Sequence, residues 1–175
     1  MEPLFPPNAA GGGTVVAELE LAAGAVKNVE ILSGEEPFTG SCKPALAQWV
    51  LPQEQGERAL IVVHFRTPQL YSVGSSRQVV DPAKTAVSLP YPKFVTSPAY
   101  PANAMARGSV VLRADVSAEG QVVDVRPIKS LAAVTETSMD AVREWEFVPA
   151  TDSRGKQVAS HAYIVLVFRF PVLAK

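Results

Sequence analysis

The sequence has few of the residues that disulfide, metal and thiol chemistry require. Its 175 residues include one cysteine and two histidines, too few for a disulfide framework or a typical zinc site. It also lacks an excess of charge, because 16 lysines and arginines nearly balance 17 aspartates and glutamates. No basic field therefore attracts nucleic acid or an anionic membrane surface. We expect no metal, no cofactor and no nucleic-acid partner.

Long apolar runs are missing as well. No stretch approaches the roughly 18 uninterrupted apolar residues of a membrane-spanning helix, and the N-terminal residues lack the basic and apolar regions of a signal peptide. We therefore expect no membrane segment in the chain as written. What is present is a composition of 47% hydrophobic residues with 15 prolines and 11 glycines, which indicates one ordinary domain or two small ones.

The second half of the chain repeats the first. Phe5–Ala9 reappears as Tyr100–Ala104, and Gly13–Val16 reappears as Gly108–Val111, both 95 residues later. Insertions move the shift to 96 and then to 103 residues, and further matches follow: Gly24 with Gly120, Val26 with Val122, Trp49 with Trp145, and Ala59–Pro68 with Ala162–Pro171. These positions are ones that a shared fold would preserve. The sequence predicts two repeats, residues 1–68 and 100–175, joined by an ordered linker of residues 69–99.

Each repeat begins with the pattern of a β-hairpin. Apolar and polar residues alternate over 15–21 and 110–116, and a glycine-bearing turn and a second alternating run follow in both copies. Apolar residues at helical spacing come next, ending at Trp49 in the first copy and at Trp145 in the second, and we expect both tryptophans in the core. Pro44 is tolerated best in a first turn, so we expect the first helix to begin near Ser41.

A third strand closes each repeat. Ala59–Arg66 and Ala162–Phe170 are runs of β-branched and aromatic residues that end close to a proline. The predicted fold class is therefore α+β, with two ββαβ units. Each unit is a three-stranded antiparallel sheet with one helix packed on it, and the two sheets can join into one larger sheet.

The residues of the second repeat resemble a known family. Tyr100-Pro101, Gly108-Ser-Val-Val-Leu, Gly120-Gln-Val-Val, Trp145-Glu-Phe-Val-Pro149 and Val167-Phe-Arg-Phe170 follow one another as in the C-terminal domain of TonB, the periplasmic end of an energy transducer that contacts outer-membrane receptors. The first repeat resembles it more weakly, with Phe5-Pro6 at its start. The resemblance implies a periplasmic, non-enzymatic ββαβ domain whose partner is a protein or peptide, such as the TonB box of a TonB-dependent receptor, held along the third strand.

The third strand of the second repeat carries the predicted binding site. Apolar residues occupy both faces of Ala162–Phe170, and a long uncharged edge strand is an aggregation hazard unless it is covered or used. We assign the partner-binding role to six residues: Tyr163, Val165, Val167, Arg169, Tyr100 and Pro101. In one hypothesis, a receptor or transport protein adds a strand to this edge.

In the alternative hypothesis, the duplicated units cover each other's edges and form a structural pseudo-dimer that serves assembly and has no peptide site. Strand exchange between chains is a further route to an oligomer, because a long linker joins the two units.

The sequence offers no catalytic constellation. Cys42 lies on the apolar helix face without an activating base, which favours a packing role over a nucleophilic one. His64, in mid-strand, and His161, just before a strand, are more typical of surface or interface residues than of ligands. We expect no enzymatic activity.

Overall fold

The computed structural model describes residues 2–51, 54, 56–67, 77–101 and 106–170. The first half contains β1 (Gly13–Ala22), β2 (Ala25–Ser33), α1 (Phe38–Leu46) and β3 (Arg58–Phe65). Between the halves lie β4 (Arg77–Val79) and β5 (Tyr91–Thr96). The second half contains β6 (Gly108–Val116), β7 (Val122–Lys129), α2 (Thr135–Arg143), β8 (Glu146–Val148), β9 (Ala150–Thr151), β10 (Gln157–Val158) and β11 (Ser160–Phe168). The α+β class is confirmed.

Both predicted hairpins form, and glycine makes their turns possible. Gly24 has φ of 76° and Gly120 has φ of 87°, a region that residues with a side chain rarely adopt. At Gly120 the space is also closed, because a Cβ atom there would lie 2.0 Å from the Phe147 carbonyl oxygen. β1 and β2 therefore pair antiparallel, and so do β6 and β7.

The first helix differs from the sequence prediction at its start. It begins at Phe38, three residues before Ser41, and Pro44 lies inside it. The Glu36 carboxylate accepts a hydrogen bond from the Gly40 N–H at 3.2 Å, so an early backbone donor that the helix itself leaves unpaired has a partner. Pro44 removes one backbone donor but is exposed to solvent, and the buried face of the helix is unaffected.

Six strands form one continuous sheet in the order β2-β1-β3-β11-β6-β7. All neighbours are antiparallel except β3 and β11, the third strands of the two halves, which run parallel in the centre. Their register aligns Ile61 with Tyr163 and Phe65 with Val167. The strand order is mirrored about this pair, and Ile164, the counterpart of Ile61, aligns with Val62. An approximate two-fold rotation about the strand direction, with an offset of one residue, therefore relates the two halves.

That rotation places the two helices on opposite faces of the sheet. The core beneath α1 combines Cys42 and Ile61 of the first half with Val165 of the second. The core beneath α2 combines Val142 and Ile164 with Leu60 of the first half. Each third strand thus faces its own helix on one side and the partner half's helix layer on the other, and this is why both of its faces are apolar.

The outer strands repeat the same irregularities in both halves. Lys27 and Leu32 are skipped in the register of β2, and Val123 and Ile128 are skipped in that of β7. The two pairs are related by a shift of 96 residues. An isolated bridge also recurs at this shift, joining Ala25 to Val50 and Gln121 to Glu146. The resemblance of the halves therefore extends to the details of the backbone.

Residues 77–101 cover the first half on the α2 face. β4, β5 and β8 form a second, three-stranded sheet, and Val80, Tyr91 and Val95 join the core beneath it. The Tyr91 hydroxyl donates a hydrogen bond to the Asp81 carbonyl at 2.6 Å, and its oxygen lies 2.8 Å from the Ser33 hydroxyl, which can donate to it. Within the described ranges, neither helix is long and apolar enough to span a membrane.

Candidate functional site

The predicted binding strand lies in the middle of the sheet. Tyr163, Val165 and Val167 have strand neighbours on both sides, β3 and β6, and are at most 3% exposed. The sequence left open whether the edge at Ala162–Phe170 is free or covered inside the molecule, and along β11 it is covered by β3 of the first half. The backbone groups that a partner's strand would need at these residues are already hydrogen-bonded to β3. β3 likewise has no free edge, because it pairs with β1 on one side and with β11 on the other.

Arg169 and Tyr100 belong to two matching contacts that tie the halves together. The Arg169 guanidinium lies 4.7 Å from the centre of the Phe5 ring, and the Arg66 guanidinium lies 4.9 Å from the centre of the Tyr100 ring. Arg66 and Arg169 occupy corresponding positions in the two halves of the sequence, and so do Phe5 and Tyr100. The arginine of each half thus packs on the aromatic residue at the start of the other half. This arrangement stabilises the association of the two halves.

The remaining predicted residue, Pro101, is partly buried after Tyr100. The phenolic oxygen of Tyr100 accepts a hydrogen bond from the Ala106 N–H at 2.6 Å, and its ring packs 6.3 Å from the ring of Phe168. Arg169 instead faces a cleft of about 840 Å³ between the N-terminal residues and the end of β11. Of the six predicted residues, Val167 and Arg169 line that cleft.

A second tie between the halves, which sequence reasoning did not find, joins Glu54 to His161 and Tyr163. The Glu54 carboxylate lies 2.5 Å from His161 Nε2 and accepts a hydrogen bond of 3.0 Å from the Tyr163 hydroxyl. Burial opposes ionisation of this carboxyl, but its hydrogen bonds outweigh that effect and lower its pKa. Burial, and then the bond to Glu54, raises the pKa of Tyr163 to about 12. No sequence motif marks this cluster, because Glu54 is over 100 residues from His161 and Tyr163 along the chain.

His64 lies at the interface of the halves and is fully enclosed. Its ring nitrogens are 2.9 Å from the Thr14 hydroxyl and 2.6 Å from the Ser97 hydroxyl, and its ring packs edge-on against Trp145. Burial, and then the charge of Arg66, lowers the pKa of His64 to about 4. The histidine is therefore neutral at ordinary pH, and of the two sequence-based interpretations, surface or interface, the structure places it in an interface.

Cys42 has the environment of a packing residue. It is fully buried on the inner face of α1, and burial, with a smaller contribution from Glu36, raises its pKa to about 12. Such a thiol is a poor nucleophile because the thiolate is the reactive form. Among the described residues, no group of three histidine, cysteine or acidic side chains could hold a metal ion.

The two outer edges of the sheet are blunted. β7 has two register shifts, a proline at position 127 and the charged residues Asp124 and Arg126, all of which discourage further pairing. β2 has the equivalent shifts, and part of its outer backbone is used: Val26 donates to the Trp49 carbonyl and Leu32 accepts from the Lys84 N–H. Neither edge resembles an open strand prepared for a partner.

The comparisons with known proteins concern the second half. Residues 96–170 match the family model described as Gram-negative bacterial TonB protein C-terminal. The match includes β6, α2 and β11, and it is less than half of the chain. No curated protein matches the sequence. The segment of residues 96–170 is thus TonB C-terminal-like, which agrees with the resemblance found in its motifs.

Proposed function

We propose that the chain is a non-enzymatic, periplasmic protein-binding module in which two TonB C-terminal-like repeats, residues 1–68 and 100–175, are fused into a closed pseudo-dimer. The match at residues 96–170 supports the family and the cell-envelope location. The shared register shifts of β2 and β7 support the tandem repeat. The linker is residues 69–99, and its described part, residues 77–99, then serves as part of the fold as well as a connection.

The parallel pairing of β3 with β11 carries this proposal. A single domain of this kind has a third-strand edge that a partner's extended segment can pair with. Here the third strand of each repeat pairs with the third strand of the other. This edge is therefore occupied inside the molecule and is not available to a separate partner. Contact with a receptor or transport protein must then use side chains elsewhere, and pairing at Tyr163, Val165 and Val167 requires the halves to separate first.

Amide hydrogen exchange tests the closed centre. In the free protein, at a concentration where it is shown to be monomeric, we expect all amides of 60–66 and 163–167 to be protected, because strands with two neighbours use both sides of the backbone. The outer strand β7 is the internal control, and some of its amides should exchange quickly. Fast exchange at alternate positions of β3 or β11 would overturn the closed pseudo-dimer.

A peptide titration separates the two binding modes. A synthetic peptide carrying a receptor's TonB box should leave the exchange pattern of β3 and β11 unchanged if the centre is closed. Changed exchange confined to 60–66 and 163–167 would instead restore the hypothesis of edge-strand pairing with a receptor. An increase in molecular mass with concentration would favour the predicted strand exchange between chains.

A further inference from the structure

The two halves have two equivalent spaces on opposite faces of the sheet, one filled by a segment of the chain and the other open to solvent. We call these spaces the filled seat and the open seat. We define the covering segment as residues 80–96. It pairs antiparallel with β8 of the second half through β5, and the Lys84 N–H donates to the Leu32 carbonyl of the first half at 3.0 Å. The covering segment thus fills the space between β8, which follows α2 in the second half, and β2, the outer strand of the first half. This space is the filled seat.

The equivalent space on the opposite face is a cleft of about 380 Å³. Val50 and Leu51 line one side and are the counterparts of Glu146 and Phe147 in β8, since Ala25–Val50 and Gln121–Glu146 are matching bridges. The other side is lined by residues of the second half: Arg113, Arg126, Ile128 and Tyr163. Shifts of 95, 96, 96 and 103 residues make them the counterparts of Glu18, Glu30, Leu32 and Leu60.

Exposure distinguishes the filled seat from the open one. Leu32, beneath the covering segment, is 1% exposed, whereas its counterpart Ile128 is 56% exposed. Val50 is 62% exposed, although its counterpart Glu146 pairs with Phe94 of the covering segment. Two apolar side chains that line the cleft, Val50 and Ile128, are therefore exposed to solvent, whereas their counterparts in the other half are paired or buried.

The charged residues of the open seat have the opposite sign from their counterparts in the filled seat. In the filled seat, Glu30 accepts a hydrogen bond of 3.4 Å from the Thr85 hydroxyl, and Glu18 is paired with Arg58. At the equivalent positions of the open seat stand Arg126 and Arg113. Asp115 is paired with both arginines and Asp124 with Arg126, at side chains that remain partly exposed. An incoming acidic group can share these guanidinium groups, whereas a basic one meets them unfavourably.

We propose that this cleft binds an extended, mostly apolar segment of a partner protein that carries an acidic residue. The segment runs antiparallel to Val50–Leu51, as β5 runs to β8, places an apolar side chain against Ile128 and directs a carboxylate towards Arg126. This inference rests on the proposed function and names the surface that a closed pseudo-dimer leaves available for a partner.

The probe is a peptide copied from the covering segment, residues 80–95, with the substitution Thr85→Asp. Because Thr85 lies against Glu30 and the counterpart of Glu30 is Arg126, the new carboxylate should meet Arg126. We expect saturable binding by fluorescence anisotropy, about three-fold tighter than for the unsubstituted peptide, since exposed charge pairs contribute little. The preference should disappear in high salt.

Three variants locate the binding. Ile128→Asp should weaken binding of the substituted peptide about ten-fold, as expected when a charge replaces an apolar contact. Arg126→Gln should remove the preference between the two peptides. The matched control is Val123→Asp, because Val123 is the other exposed, skipped residue of β7 and does not line the cleft; it should bind like the unsubstituted protein.

Absence of saturable binding at millimolar peptide would overturn the proposal, and so would equal weakening by Ile128→Asp and Val123→Asp. Binding unaffected by either variant would mean that the peptide displaces the covering segment from its own seat, which also contradicts the proposal. These failures are distinguishable from failure of the proposed function, because that function is tested by hydrogen exchange in β3 and β11, which needs no peptide bound in the cleft.

Discussion

The two halves of the molecule have the same strand order and the same register shifts, yet their equivalent side chains have different environments. Leu32 is buried while Ile128 is exposed, and Trp145 is 1% exposed while Trp49 is only partly buried. The covering segment causes much of this difference, because it packs on one face of the sheet only. The two halves thus share a backbone arrangement, whereas unequal covering decides which side chains stabilise the fold and which remain available.

The largest effect is expected where the halves meet. Val62 and Val165 are equivalent, completely buried residues of the central strands. Val165→Asp should lower the free energy of unfolding by about 4 kcal/mol or more, because it buries an unpaired charge. Val62→Asp should cost a similar amount. Urea unfolding followed by circular dichroism measures both, with the exposed Val123→Asp as the control.

A loss confined to one of these two variants would break the equivalence of the halves at their centre. A loss below 1 kcal/mol in both would contradict the two-sided burial of the central strands, since a charge tolerated there must reach water.

Substitution of the two tryptophans by alanine should lower the free energy of unfolding by different amounts, although the two residues occupy equivalent positions. Trp145 is enclosed beneath α2, and its indole N–H donates to the Thr96 carbonyl at 2.9 Å. Trp145→Ala should therefore cost about 3–5 kcal/mol. Trp49→Ala should cost clearly less, because its side chain is only partly buried. The measurement is again urea unfolding, and equal losses would show that the covering segment does not create the asymmetry.

His64 provides the smallest and most selective test, because its counterpart in the second half is Val167. Its pKa is lowered from 6.5 to about 4 in the folded protein, so the unfolded chain binds more protons between these values. Stability contributed by the neutral ring is present above pH 6.5 and is lost as the pH falls towards 4. The loss is on the order of 3 kcal/mol when complete.

His64→Val should remove this part of the pH dependence, at some cost near pH 8 because the hydroxyls of Thr14 and Ser97 lose their shared partner. Chemical unfolding at several pH values compares the variant with the unsubstituted protein. His161→Gln is the control on the other histidine. An unchanged slope between pH 6.5 and 4 in His64→Val would assign the acid sensitivity to other groups.

Local pattern predicted the elements well and the helix start poorly. Alternation and glycine turns identified the hairpins, and the apolar runs placed both third strands within two residues at either end. The start of α1 was missed because Glu36 accepts a backbone N–H at the first turn, which no spacing rule records. Both faces of β11 were recognised as apolar, but their meaning as a central strand depended on what the other repeat does.

The sequence by itself indicated the similarity of the two halves, the α+β elements and the TonB-like motifs of the second half, because recurring motifs, alternation and turn residues can be read along a chain. Only the tertiary structure decided that β3 pairs with β11, that Glu54 reaches His161, and that the covering segment fills one of two equivalent seats. Those contacts join residues far apart along the chain. Their geometry follows from how two sheets meet, and a one-dimensional pattern does not contain that information.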